Sequence, residues 1–258
     1  MESQHDGFGL KGLLHRQPWV TFLLPFLVFV LVGSLEPTPD RPGGSDFGLA
    51  IPYAWYPWLY AIKIVLTVAA IAVVWPGYRQ FPWRLSLWGL VVGLVGGTIW
   101  IGLCRLDWEH QHLLPLLQRF GLGGLVGAGD RAAFNPFVQW AGQSGWAWTF
   151  LAVRALGLVV VVPVIEEFFL RGFLMRVVVQ REWQEVPFGR VNRWAVVLGT
   201  AVPMLMHPGE LLAAAVWFSL VTWLMVRTRN LWDCVAAHAV TNLLLGVYVV
   251  VSGDWRLL

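Results

Sequence analysis

Seven stretches of this chain are apolar over something close to the roughly 20 residues that carry a helix across a bilayer, and that pattern leaves few folds open. They run over about 18–35, 58–75, 85–103, 146–179, 193–206, 211–226 and 231–251, the fourth longer than a crossing needs and the fifth short. Backbone inside hydrocarbon must satisfy its own hydrogen bonds, and unbroken apolar runs of this length do so as helices. The expected fold is therefore all-α, a polytopic transmembrane bundle of seven to eight spans. The eighth span would hide in 113–137, a stretch that reads better as an interfacial helix and loop carrying His110, His112 and several glycines nearby. Only 13% of residues are charged against about 25% in a soluble domain, which agrees with a chain built for lipid. The first apolar run contains Pro25 and lacks a clear small-residue cleavage site, so it is read as a retained span. Residues 1–17 are expected to be a cytoplasmic N-terminal segment and 18–258 one transmembrane domain, with a motif-bearing core at 146–251.

The cations sort by loop. Lys11 and Arg16 precede the first span, Arg79 and Arg84 separate the second and third, Arg176 to Arg193 follow the fourth, and Arg227 and Arg229 follow the sixth. These are alternate loops, so they read as cytoplasmic, while 36–46, 105–130 and 254–256 are acidic or mixed. The N-terminus is then inside and the C-terminus outside. A net charge of +3 spread over short loops, with no stacking platform beside it, argues against a nucleic-acid partner. Cys104 and Cys234 fall in or beside apolar segments, outside any metal or redox motif, and read as buried thiols.

Three polar clusters interrupt the apolar pattern: Glu166-Glu167-Phe168-Phe169-Leu170-Arg171, then His207 before Pro208-Gly209, then His238-Ala239-Val240-Thr241-Asn242. Ionisable groups at membrane depth are expensive and mark function by default. Glu167 and Arg171 are four apart, in the orientation that favours an ion pair. Glu166 points about 100° away and has no evident local partner, which suits a base toward water or a metal ligand. His238 and Asn242 share one face of the seventh helix among Ala236, Ala237, Ala239 and Val240, where a metal or a developing oxyanion could be met. Counted at 1.5 Å per residue, His238 lies roughly 12 Å, and Glu166 and His207 each roughly 20 Å, from the cytoplasmic ends of their helices. One interior pocket could collect all four.

A Glu-Glu-x-x-x-Arg run, a later His and a closing His-x-x-x-Asn, preceded by Arg227-Thr228-Arg229-Asn230-Leu231-Trp232, resemble the CAAX-processing and bacteriocin-immunity (CPBP or Abi) family of intramembrane proteases, over roughly 148–251. The resemblance implies an all-helical endopeptidase with a site open to the cytoplasm. Glu166 would activate the attacking water with His207, His238 and Asn242 would stabilise the oxyanion, and Glu167 and Arg171 would hold the first motif in place. The family has Phe four residues before the second-motif His; here that position is Pro203, which bears on how His207 is oriented. The run Ile51 to Tyr60, with Lys63 after it, further resembles a bacterial subgroup, the CAAX prenyl protease-related proteins associated with exosortase systems. That subgroup implies a multi-pass protein of the bacterial inner membrane acting on a C-terminally sorted protein rather than a prenylated one.

Independently of the resemblance, peptide hydrolysis needs a nucleophile, a proton acceptor and an oxyanion donor within about 3 Å of the scissile carbonyl. Glu166, His207, His238 and Asn242 supply the last two, and water the first. Ser219 and Thr222 are expected to bond their own helix backbone. Glu166, His207 and His238 also have the ligand count of a catalytic site for a divalent metal such as zinc, without the HExxH spacing, so the metal question stays open between a metallo and a glutamate type. A transporter would need Gly/Pro-broken helices in two matching halves, which the sequence lacks. A noncatalytic membrane assembly or immunity factor of the same fold is the remaining alternative. Expected partners are the bilayer and a membrane-associated protein or peptide substrate.

Overall fold

The computed structural model describes residues 12, 14, 16–38, 48–121 and 134–257, the side chain of His110 excepted. Lys11, most of the 36–46 loop and residues 122–133 of the proposed interfacial region fall outside the described residues, and with them most of the 1–17 segment.

Seven apolar helices account for the seven apolar stretches: α1 (Val20–Gly33), α2 (Tyr56–Tyr78), α3 (Leu87–Leu106), α4 (Ser144–Val179), α5 (Arg193–Met206), α6 (Leu211–Thr228) and α7 (Leu231–Ser252). No strand occurs among the described residues. Five of the seven are long and apolar enough to cross a membrane; α1 and α5, at 14 residues each, are shorter. Fourteen residues rise only about 21 Å, less than the ~30 Å of a hydrocarbon core. His207-Pro208-Gly209 ends α5, as the Pro-Gly pair leads one to expect, and α6 starts at once. The link between α5 and α6 is half-buried to buried. Of the region read as interfacial, Glu109–Leu113 forms one π turn and Leu114–Arg119 a short helix.

α4 solves its excess length by widening. It is α-helical at both ends and over Val162–Glu167, with π turns at Gly157–Val161 and Phe168–Leu174. Each π turn inserts a residue and rotates the helix beyond it, and such turns gather at functional sites.

A close helix approach between α3 and α7 runs along Gly89, Gly93 and Gly97, while Gly96 on the neighbouring face meets Trp217 of α6. A Cβ built on Gly93 would lie 2.7 Å from the Ala237 carbonyl and from Val240, and one on Gly89 3.0 Å from the Asp233 carbonyl. Small residues replace the hydrophobic effect as the means of bringing helices together in lipid. The contact is locked by polar bonds: Thr241 donates its hydroxyl to the Gly93 carbonyl (2.8 Å), and Asp233 accepts from both the amide and hydroxyl of Ser86 (2.7 and 2.8 Å). Asn230 caps α7 and donates to the Arg84 carbonyl, while the Trp232 indole donates to Phe81. The Arg-x-x-Asn-Leu-Trp entry thus fastens α7 to the α2–α3 link. Replacing Gly93 with Leu overpacks this seam and is expected to cost about 1–3 kcal/mol, read as a fall in thermal unfolding temperature in detergent. Gly102→Leu is the control, since its added Cβ meets nothing within 4 Å.

Other expectations resolve in detail. Lys63 is 5% exposed and pairs with Glu36 at 2.7 Å; nearby, Arg154 donates to the Tyr56 hydroxyl at 2.9 Å. Cys234 is buried, as expected, but Cys104 is only half-buried. The Ser219 hydroxyl reaches Thr200 on α5 (3.4 Å) rather than its own backbone, and the buried Thr222 hydroxyl has no hydrogen-bond partner. Side chains such as Val65, Leu87 and Val251 stand outward, as a lipid-facing surface requires.

Candidate active site

Glu167 lies at the junction of a short α segment and the second π turn of α4, with no exposed surface. Its Oε2 pairs with Arg171 Nη1 at 2.7 Å, the i,i+4 pair expected from the spacing. Arg171 is equally buried and donates Nη2–H to the Phe218 carbonyl of α6 at 3.3 Å, with its guanidinium 5.6 Å from the Phe218 ring. The other Glu167 oxygen lies 3.0 Å from His238 Nδ1. A carboxylate only accepts, so Nδ1 carries the proton and donates it. This second partner of Glu167 was not anticipated from sequence: the glutamate both neutralises Arg171 and sets the His238 ring. Trp217 packs across that ring at 4.6 Å and donates its indole N–H to Thr241.

His207 is oriented by a carbonyl. Its Nδ1 is 2.8 Å from the oxygen of Pro203, four residues back on α5, so that nitrogen is the donor and Nε2 is the acceptor of the neutral ring. At the Pro203 position, which departs from the family pattern, the backbone oxygen does the orienting. Trp100 and Phe218 flank the ring, with centroids 5.5 and 5.6 Å away.

Asn242 is positioned by the first π turn. Val162 N–H bonds Gly157 O five residues back, and the next donor in that register would be residue 163. That residue is proline, which has no N–H, so the Leu158 carbonyl is left to another donor. Asn242 Nδ2 supplies it at 2.7 Å. One amide hydrogen is used there and the second remains for chemistry.

His207, His238 and Asn242 line a single cavity of about 110 Å³, closed in by Trp100, Leu158, Val162, Trp217, Phe218, Leu245 and Leu257. A polar cavity of that size holds several waters. Glu166 is also buried, at 5% exposure, and is close enough to His238 for the two to interact electrostatically. It does not line the cavity, and its Oε2 has no hydrogen-bond partner. The structure therefore brings three of the four expected residues around one space, with Glu166 outside its lining.

Two carboxylates went unremarked in the sequence. Glu109, from the π turn after α3, accepts the Leu211 amide at 2.9 Å and the Leu212 amide as well, capping α6 where the His207 link enters it. Nothing in local spacing announces a partner 102 residues away. Glu210, on that link, lines the cavity. It could have been found by the rule applied to Glu166, since it too is an acid between apolar helices.

His207 and His238 each donate Nδ1–H to an oxygen, a support that metal-ligating imidazoles also have. Among the described residues, however, no group of three or more His, Cys, Asp and Glu side chains is arranged to hold a metal ion. Glu166, His207 and His238 as placed do not form such a set.

Residues 146–244 match the family described as type II CAAX prenyl endopeptidase, Rce1-like. The stretch holds every residue of the three clusters. No curated protein and no solved structure matched the chain. The matched family is one of CAAX-type proteases, and with five helices long enough to cross a bilayer the chain is a multi-pass membrane protein.

Proposed function

We propose that this chain is an intramembrane endopeptidase that hydrolyses a peptide bond of a membrane-associated protein, using water held in the cavity between His207, His238 and Asn242. The observation that carries the reading is the convergence of those three side chains, from the α5–α6 link and α7, on one space with room for several waters inside an apolar bundle. Glu166 is the proton acceptor, reaching the cavity by a rotamer change from its place beside His238, and the His207 Nε2 lone pair helps to hold the attacking water. Asn242 gives its second amide hydrogen to the developing oxyanion. His238 can donate there only from Nε2, which requires a second ring proton, and Glu167 against Nδ1 stabilises that imidazolium. The protein sits in the bacterial inner membrane with its N-terminus cytoplasmic, and its substrate is a CAAX-type or C-terminally sorted protein.

The test is cleavage by the purified protein in liposomes. Two quenched-fluorescent probes are offered, a farnesylated CAAX-box peptide and an unprenylated transmembrane peptide with a polar C-terminal tail, each with and without a chelator. Cleavage of at least one, unchanged by chelator, is expected. Failure on both would leave a noncatalytic assembly role, and loss with chelator restored by zinc would overturn the metal-free reaction.

A further inference from the structure

Glu210 closes the His207-Pro208-Gly209-Glu210 link and occupies the N-cap position of α6. A short Asp, Asn, Ser or Thr there turns its side chain back to accept the first free amides of the helix, a role the longer Glu does not ordinarily take. Glu210 makes no such bond; the amides of Leu211 and Leu212 are taken by Glu109 from the π turn that follows α3. Its backbone is nonetheless fixed, with Glu210 N–H donating to the His207 carbonyl (3.1 Å) and its own carbonyl accepting from Ala214 (2.8 Å). With the cap supplied from elsewhere, the Glu210 side chain, 7% exposed, lines the cavity beside His207, His238 and Asn242. A second carboxyl is thus held at the site by an element different from the one that carries Glu166.

We propose that Glu210 is a second catalytic carboxyl, which protonates the departing amine. The proposal rests on the endopeptidase reading. Hydrolysis moves two protons. As water oxygen bonds to the scissile carbonyl carbon, the C=O π pair moves to oxygen and one water proton passes to Glu166. When the oxyanion re-forms C=O, the C–N bond breaks, its electron pair stays on nitrogen, and nitrogen takes the Glu210 proton. The carboxylic acid and amine leave, and the proton on Glu166 returns to Glu210 through cavity water. Protons and electrons balance without a co-reactant. One acid on α4 and one on the α5–α6 link serve the two ends of the transfer.

The experiment measures pH profiles of kcat and KM on the probe that the wild type cleaves, with Glu166→Gln, Glu210→Gln and Glu210→Asp beside it. Titratable neighbours among the described residues are His207, His238 and Glu109. Glu210→Gln is expected to lower kcat by about 10²-fold or more, with KM within about threefold, and to lose the alkaline limb of the profile; Glu210→Asp keeps that limb and part of the rate. Thermal unfolding of both variants in detergent should stay near wild type. Glu210→Gln cleaving at a near-wild-type rate with the alkaline limb intact overturns the proposal while leaving Glu166 in place. Equal losses in the Gln and Asp variants with an unchanged profile assign Glu210 a structural role and also overturn it. A folded wild type that cleaves neither probe removes the endopeptidase reading and this one with it.

Discussion

Glu166→Gln is expected to lower cleavage by about 10²- to 10⁴-fold, the range for removing a positioned general base, while the protein still inserts and unfolds near the wild-type temperature. The substitution keeps the volume and removes the charge. Structurally it should be mild, because among the described residues Glu166 Oε2 is buried without a hydrogen-bond partner and forms no ion pair. Chemically it removes a buried carboxyl that interacts electrostatically with His238, while Arg171 is paired with Glu167. Rate and thermal unfolding are measured on the same preparation. A variant that cleaves at the wild-type rate removes Glu166 from the reaction and returns the choice of base to Glu210 or His207.

Short-range pairings were the most readable part of this site. Glu167 with Arg171, and His238 with Asn242, are four residues apart on helices whose apolar character is plain, so one turn of geometry places them. The seven helices were readable for the same reason, since lipid leaves an apolar run of that length little choice. The glycine seam along α3 was readable in principle, because small residues at helical spacing are a sequence pattern. What resisted were contacts set by the third dimension. The Leu158 carbonyl is available to Asn242 only because a π turn brings Pro163 into register, and no periodicity reveals a π turn. Glu109 reaches α6 across 102 residues. Glu166 does not line the cavity, and it sits between two π turns whose extra residues no periodicity announces. Seen as a straight helix, its carboxyl could equally have been placed in the pocket.

Arg171→Met is expected to be the most destabilising single change at the site, at about 3–5 kcal/mol, because it strands the Glu167 carboxylate in the bundle with no guanidinium beside it. Replacing both members, Glu167→Leu with Arg171→Met, removes the two charges together and should recover much of that loss, since buried ion pairs are often no better than apolar side chains of similar volume. Recovery will be partial, because His238 Nδ1–H is then left without its acceptor. Activity should behave differently. The double variant is expected to stay inactive even where its thermal unfolding approaches wild type, because His238 has lost the group that fixes its tautomer and stabilises its imidazolium. Stability and turnover thus separate: the ion pair makes Glu167 tolerable in the membrane, and its second oxygen ties Glu167 to the chemistry. Thermal unfolding and kcat for both single variants and the double variant form the cycle that measures this. A double variant that regains cleavage along with its stability would show that Glu167 orients nothing and serves the fold alone.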